Sequence, residues 1–570
     1  MQRFVAIDTE TALIEPGNLT PALTCVSFYN DDQDSWLLDH SMGWSQVKRY
    51  LESDWHVIGH NIAYDLAVLE KERDTIRPFI WKAYDEGRIH DTKIRQQLID
   101  ISVGELGQTG YSLSDLSQRF LGSVLDGKES TRLQYGELRG KAIAEWSAEA
   151  RRYALKDAET TFKVFKAQEG QANLHDEAPQ CRAAWALHLM SVAGMRTDPK
   201  AVEKLSADLR VQYENLRDEL FRVGILRIAG SYKNQYLAKD TKAIQTRVAQ
   251  VLKDAPKTKT CRVSIDADTL TLTGDPILAK LVQLSKVEKL LKTYVPVLEA
   301  GTKAPINARF NVLVESGRTS CAEPNLQNLP RRTLIRECFV ARPGHVFISS
   351  DYDTVEMRAM AQIHLWWYGT SALADAFKAG KDPHAMLAAQ MTNGSRQAAK
   401  MGNYGLMGGM SAKTLRAYAR GFGITLSDQQ AKDIYRAFFE TWPEMVRYLA
   451  DVKDEVRRFG KLVQAVSGRE RGRLRFTSGA NTMFQGLVAD GAKAAAYAVS
   501  RECYLDNKSE LYGCVPVVFP HDELLVESPK DRAEAALKRL SEVMVDTMAG
   551  YIPEVPIKCS GRVLGERWSK

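Results

Sequence analysis

Apolar and polar positions alternate in short runs over the first 175 residues, and the runs at 4–7 and 56–58 have the length and residue types of strands. The clearest helix predicted in this region covers residues 153–168 and carries a charged face. Strands and helices in alternation argue for an α/β domain. From 183 to 300 the pattern turns mostly helical, with a long amphipathic stretch at 281–298 and a Lys-rich, Pro-containing loop at 253–262. Beyond 307, strand-like runs at 346–350 and 515–519 bracket a helical block from 383 to 459. Joints are expected near residues 180 and 300.

Length and charge narrow this only a little. The 570 residues suffice for about three or four domains. A net charge of +6 permits a polyanionic partner without requiring one. None of the eight cysteines forms a Cys-x-x-Cys pair, so neither a zinc site nor a disulfide framework is indicated. The sequence opens directly on a strand pattern, and no apolar run reaches membrane-spanning length. A reducing cytoplasm is expected, that of a bacterium or of a phage-infected host.

Candidate chemistry begins at Asp8-Thr9-Glu10, where two carboxylates on a strand point to one side. Alone this pair reads as a solvated strand end. It is followed by Asn61 with Asp65 and by Tyr153 with Asp157, each pair four residues apart and on one face if helical. In order and spacing the set resembles the proofreading 3′→5′ exonuclease domain of DNA polymerase I-like enzymes. The resemblance implies that Asp8, Glu10, Asp65 and Asp157 hold two divalent ions, about 3.5–4 Å apart in such sites. It also implies that Tyr153 orients the attacking water.

A second constellation lies downstream. Asp351 ends the strand at 346–350, and His521-Asp522-Glu523 follows the strand at 515–519, reading as acids at a hairpin tip. Between them Arg396, Lys400 and Tyr404 recur every four residues behind Ser395, a plausible N-cap. That stripe is either a solvated basic face or a triphosphate clamp. The run resembles the fingers helix of family A DNA polymerases. Asp351-Tyr352-x-x-x-Glu356 and His521-Asp522-Glu523 resemble that family's palm motifs. The segment 317–330, starting Gly317-Arg318, resembles its primer–template grip, and Asn481 to Gln485 a template-side element.

The resemblance implies a multidomain α/β and α+β chain. A ribonuclease H-like exonuclease domain (1–180) is followed by a right-hand polymerase with thumb (181–300), palm (301–370 and 460–570) and fingers (371–459). Asp351 and Asp522, helped by the Tyr352 carbonyl, would hold two Mg²⁺ ions, with Mn²⁺ able to substitute. Arg396 and Lys400 would bind triphosphate, and Glu356 would exclude a ribose 2′-hydroxyl. Tyr404 would lie beside the incoming nucleotide. Arg318, Gln485, His521 and Glu523 would lie near the primer terminus or substrate. Primer–template DNA and dNTPs are the implied partners of a monomer, and a processivity partner is not readable from the chain. The compact arrangement resembles bacteriophage replicases. A pure nuclease with a decayed polymerase half, or a DNA-binding scaffold, would need lost carboxylates, and every one is present.

Two further expectations concern charge and a departure from the pattern. From 456 to 476 seven Lys or Arg (Arg457, Arg458, Lys461, Arg469, Arg471, Arg473, Arg475) stand against one acid, Glu470, which suggests contact with phosphates. Where the family places a second Tyr, four residues past Tyr404, this chain has Gly408 and then Gly409. Either a neighbouring side chain fills the space, or base selection is relaxed or altered, for example toward 2-aminoadenine.

Overall fold

The computed structural model describes residues 2–123, 125, 135–253, 255–258, 260–330, 333–392 and 394–569. The loop expected at 253–262 falls partly outside them, at 254 and 259.

The N-terminal region is built on a five-stranded sheet. Its strands are β1 (Phe4–Thr11), β2 (Leu23–Asn30), β3 (Ser35–Asp39), β4 (His56–Gly59) and β5 (Ile89–Asp91), in the order β3-β2-β1-β4-β5. The central β1 runs antiparallel to β2 and parallel to β4. Helices α1 (Ala63–Glu72) and α2 (Ala148–Ala167) pack on this sheet, α2 beginning five residues before the stretch predicted from periodicity. Ser147 explains the start: its hydroxyl accepts from the Ala150 N–H as an N-cap.

Helix α3 (Glu177–Ala193) leads out of this region, so the joint expected at 180 lies inside one continuous helix. Its Trp185 meets Trp81 of the N-terminal region, ring centroids 6.0 Å apart, and Trp81 meets Tyr497 of the C-terminal region at 5.1 Å. One continuous apolar core therefore runs through both halves of the molecule. Helix α4 (Pro199–Arg222) opens the mostly helical middle region. The single helix expected over 281–298 is three pieces: Pro276–Lys289, a π-helical turn at Leu290–Tyr294, and Val295–Gly301. Pro296 is the physical reason, since it has no N–H to continue the i→i−4 ladder.

The C-terminal region centres on a four-stranded antiparallel sheet. Strands β6 (His345–Tyr352), β7 (Val515–Val518), β8 (Glu523–Pro529) and β9 (Cys559–Gly565) lie in the order β7-β8-β6-β9. Around it stand α5 (Val355–Tyr368), α6 (Arg396–Met407), the 30-residue α7 (Phe476–Leu505) and α8 (Ala533–Tyr551). Among the described residues no helix is long and apolar enough to cross a membrane.

Candidate active sites

In the N-terminal region Asp8 and Glu10 sit two apart on β1, and Asp157 approaches from α2. One carboxylate oxygen of each lies within 4.8 Å of the other two. Three hard oxygen donors so close repel one another unless a cation joins them, and that donor set fits a divalent ion such as Mg²⁺. Tyr153 lies one turn before Asp157 on the same face of α2.

Asp65 does not join that cluster. It is 4% exposed, and its Oδ1 accepts from the Thr9 N–H at 3.0 Å and from the Thr9 hydroxyl at 2.6 Å. Burial pushes its carboxyl up to about 7, against the pull of the two Thr9 donors. Of the four acids expected to ligate, three converge and the fourth splints β1 to α1. Asn61 also departs from expectation. It precedes α1, exposed and left-handed at φ 64°, so it shares no helical face with Asp65. Its N–H donates to buried Asp91, which also accepts from the N–H groups of Ile62, Lys93 and Ile94. Sequence reasoning passed over Asp91. Its one signal was an Asp standing just before a helical pattern, the N-cap position it occupies.

The second site is an open cleft of about 700 Å³. Asp351 lies at the end of β6, opposite Glu523 of β8, and the Tyr352 N–H donates to the Asp522 carbonyl at 3.3 Å. Two acids far apart in sequence are thus brought to the same end of the two central strands. The Tyr352 ring is buried with its hydroxyl donating to the Met544 carbonyl, leaving main chain rather than phenol toward the cleft. Glu356 enters in the first turn of α5 and is ion-paired with Arg318. Burial, then the nearby Glu356 charge, raises Asp522 to about 6. Burial and the same acids raise the Tyr404 phenol to about 12.

Helix α6 brings Arg396, Lys400 and Tyr404 to the cleft wall. Ser395 caps it, accepting from the Ala398 N–H at 3.1 Å, and Arg396 rests on Asp382 at 2.7 Å. His521 lines the cleft in a left-handed conformation, its Nε2 3.2 Å from Asn328 Oδ1. Glu523 is turned away instead: 3% exposed, it accepts from the Ser349 hydroxyl and is not among the lining residues. Gln485 lies on α7 outside the lining set and donates to Asn481 Oδ1 at 3.4 Å.

Gly408 does not continue the face of α6. The helix ends at Met407; Gly408 is its C-cap and Gly409 takes φ +77°. The two glycines terminate the helix rather than weaken it. A Cβ at 408 would lie 2.8 Å from the Asn481 carboxamide, which occupies that space. The basic run divides as well. Arg469 is 1% exposed, bound to Asp176 and Asp490, and cannot reach a phosphate. Arg471 and Arg473 pair with Glu315 and Glu105, and Lys461 pairs with Glu470. Arg457 pairs with Asp454, and Arg457, Arg458, Arg473 and Arg475 are all exposed.

Fold and sites together define a two-site, carboxylate-based enzyme of nucleic-acid chemistry. A family model described as DNA polymerase family A matches residues 199–570, and one described as 3′–5′ exonuclease matches residues 2–170. The chain belongs to DNA polymerase family A and carries a 3′–5′ exonuclease domain. It is 27% identical to DNA polymerase I of Aquifex aeolicus, over 95% of this chain and 92% of the relative. It is 28% identical to the thermostable DNA polymerase I of Thermus thermophilus, over 74% of this chain and 52% of that protein, so it spans about half the length of the Thermus relative. Among solved structures, the POL domain of Pol1 from M. smegmatis, in complex with DNA primer-template and dNTP, superposes with a TM-score of 0.73 at 22% identity. That match covers 100% of this chain and 95% of the other.

Proposed function

We propose that the chain extends a DNA primer on a template with dNTPs in the C-terminal cleft and removes mispaired 3′ ends at the N-terminal carboxylate site. The observation that carries this is that Asp351 and Asp522, at one end of the two central strands, line a single cleft together with Arg396 and Lys400. Anionic oxygens on one wall and cations on the other suit a metal-bound triphosphate. The donors on both sites are carboxylates, which fit Mg²⁺, and bound Mg²⁺ would supply charge stabilisation for the attacking and leaving oxygens.

The chain's own groups do the rest. Arg396 and Lys400 hold the triphosphate, Tyr404 packs beside the nucleotide, and Glu356 crowds the sugar edge while Arg318 holds it in place. In the exonuclease domain Asp8, Glu10 and Asp157 gather the metal, Tyr153 orients water, and Asp65 keeps β1 registered against α1. The protein acts as a monomer on primer–template DNA.

Separate loss of the two activities is the test. Asp351→Ala and Asp522→Ala should abolish primer extension and leave single-strand degradation, while Asp8→Ala and Asp157→Ala should do the reverse. Extension near the wild-type rate in Asp351→Ala would overturn the palm assignment. Undiminished 3′ shortening by Asp8→Ala would overturn the exonuclease assignment.

A further inference from the structure

Residues 171–198 lie between the two family matches, yet they contribute to the polymerase interior. Asp176, and Gln180 one turn later, are both buried. Arg469 donates to Asp176 Oδ2 at 2.6 Å and grips both oxygens of Asp490 at 3.0 Å. Lys493, 3% exposed, stands one turn beyond Asp490 on α7. It donates to Gln180 and, at 2.8 Å, to the main-chain carbonyl of Gly317. Two cations and two anions thus balance inside the protein.

Gly317 is the reason these groups can lie so close. It takes φ +84°, and a Cβ there would fall 2.2 Å from the Arg469 guanidinium. The Gly317 peptide is therefore wedged between Arg469 and Lys493. The next residue, Arg318, turns into the cleft and pairs with Glu356. Val314 closes the turn from one side, its N–H donating to the Arg318 carbonyl and its carbonyl accepting from the Gly317 N–H, both at 2.8 Å, and the buried pair of cations holds it from the other.

We propose that Lys493 and Arg469 are positioning residues of the polymerase site, holding the Gly317 peptide so that Arg318 is aimed into the cleft, with Asp176 and Gln180 of the linking segment completing the support. The proposal rests on the reading that Arg318 takes part in nucleotide addition. Lys493→Met keeps the side-chain length and removes the donor. The Gly317 carbonyl is then unheld, and Arg318 spreads over several orientations.

The experiment is single-nucleotide insertion by the full chain in a double-mutant cycle. Lys493→Met should lower kcat about tenfold when Arg318 is present, the size of effect that a small misplacement produces. In an Arg318→Ala background it should add less than about twofold, because coupled residues are not additive. Single-strand 3′ degradation, which uses none of these groups, should stay within about twofold in Lys493→Met, as expected for independent sites. An equal loss in both backgrounds, or a parallel loss of degradation, would reduce Lys493 to a packing role and overturn the proposal. Should Lys493→Met fail to fold, Gln180→Leu removes a second Lys493 acceptor without altering charge. It should give the same pattern more weakly, and an unchanged insertion rate would overturn the proposal. If Arg318→Ala alone leaves insertion unchanged, the functional reading of Arg318 fails first, and the two failures are distinguishable.

Discussion

Replacing Arg469 by Met converts a guanidinium bound to three carboxylate oxygens into a thioether of similar reach. Asp176 and Asp490 would then share Lys493 alone, at 2% and 7% exposure where water cannot compensate. Removing one partner from a buried ion pair costs about 3–5 kcal/mol. Over a cooperative unit the size of residues 199–570, with about 2.1 cal/mol/K per residue of unfolding entropy, a loss near 4 kcal/mol lowers the melting midpoint by about 5 °C. Calorimetry of the full chain measures it. The companion measurement is the salt dependence of primer–template binding. Arg469→Met should leave the slope of log Kd against log salt unchanged. Exposed Arg458→Ala should lower it by about 0.9, one phosphate's worth, without moving the midpoint. A variant melting with wild type, or a slope that falls in Arg469→Met, would refute the assignment of this arginine to the interior.

Gly408→Tyr, in an Asp8→Ala background, should displace Asn481 and change the ratio of insertion opposite adenine, 2-aminoadenine and mismatched bases; identical selectivity would remove this position from base selection. Glu356→Ala should free Arg318 and raise incorporation of ribonucleotides relative to dNTPs, with single-strand degradation intact; an unchanged ratio counts against a sugar-sensing role. Acid should destabilise the protein through His364 and His384, which burial lowers to about 4. Asn403 supports the neutral form of His384, its amide lying 2.9 Å from Nδ1. The unfolded chain binds these protons first, so the stabilisation is complete above about pH 6.5 and is lost as pH falls toward 4. About 2 kcal/mol per ring is gone at pH 5, and a melting midpoint constant from pH 7.5 to 5 would disprove it.

Local pattern carried the carboxylates that end strands. A two-residue period puts Asp8 beside Glu10, and the acids at 351 and 522 follow apolar runs that read as strands of one sheet. Ser395 was readable for the same reason, because an N-cap is decided within four residues. Partners supplied from far along the chain were not readable. Arg469 looks like one more surface cation until Asp176, 293 residues away in sequence, closes over it. Asp65 was counted with the ligands through the family resemblance, whereas the direction of its carboxylate is set by Thr9 across 56 residues. At Gly408 the periodicity of α6 was carried one turn too far; two adjacent glycines were a stop signal, and the side chain occupying the space comes from a different helix.

The linking segment also limits how such enzymes can be recombined. Asn173 donates to the Glu470 carbonyl and accepts from the Glu470 N–H, both bonds spanning 297 residues, and Trp185 shares a core with Trp81 and Tyr497. A chimaera joining this exonuclease domain to a relative's polymerase half at residue 199 would part Asp176 and Gln180 from the Arg469 and Lys493 that answer them. A crossover placed ahead of residue 171 keeps that set intact. The natural seam for exchange therefore lies at the end of α2, some thirty residues before the polymerase match begins.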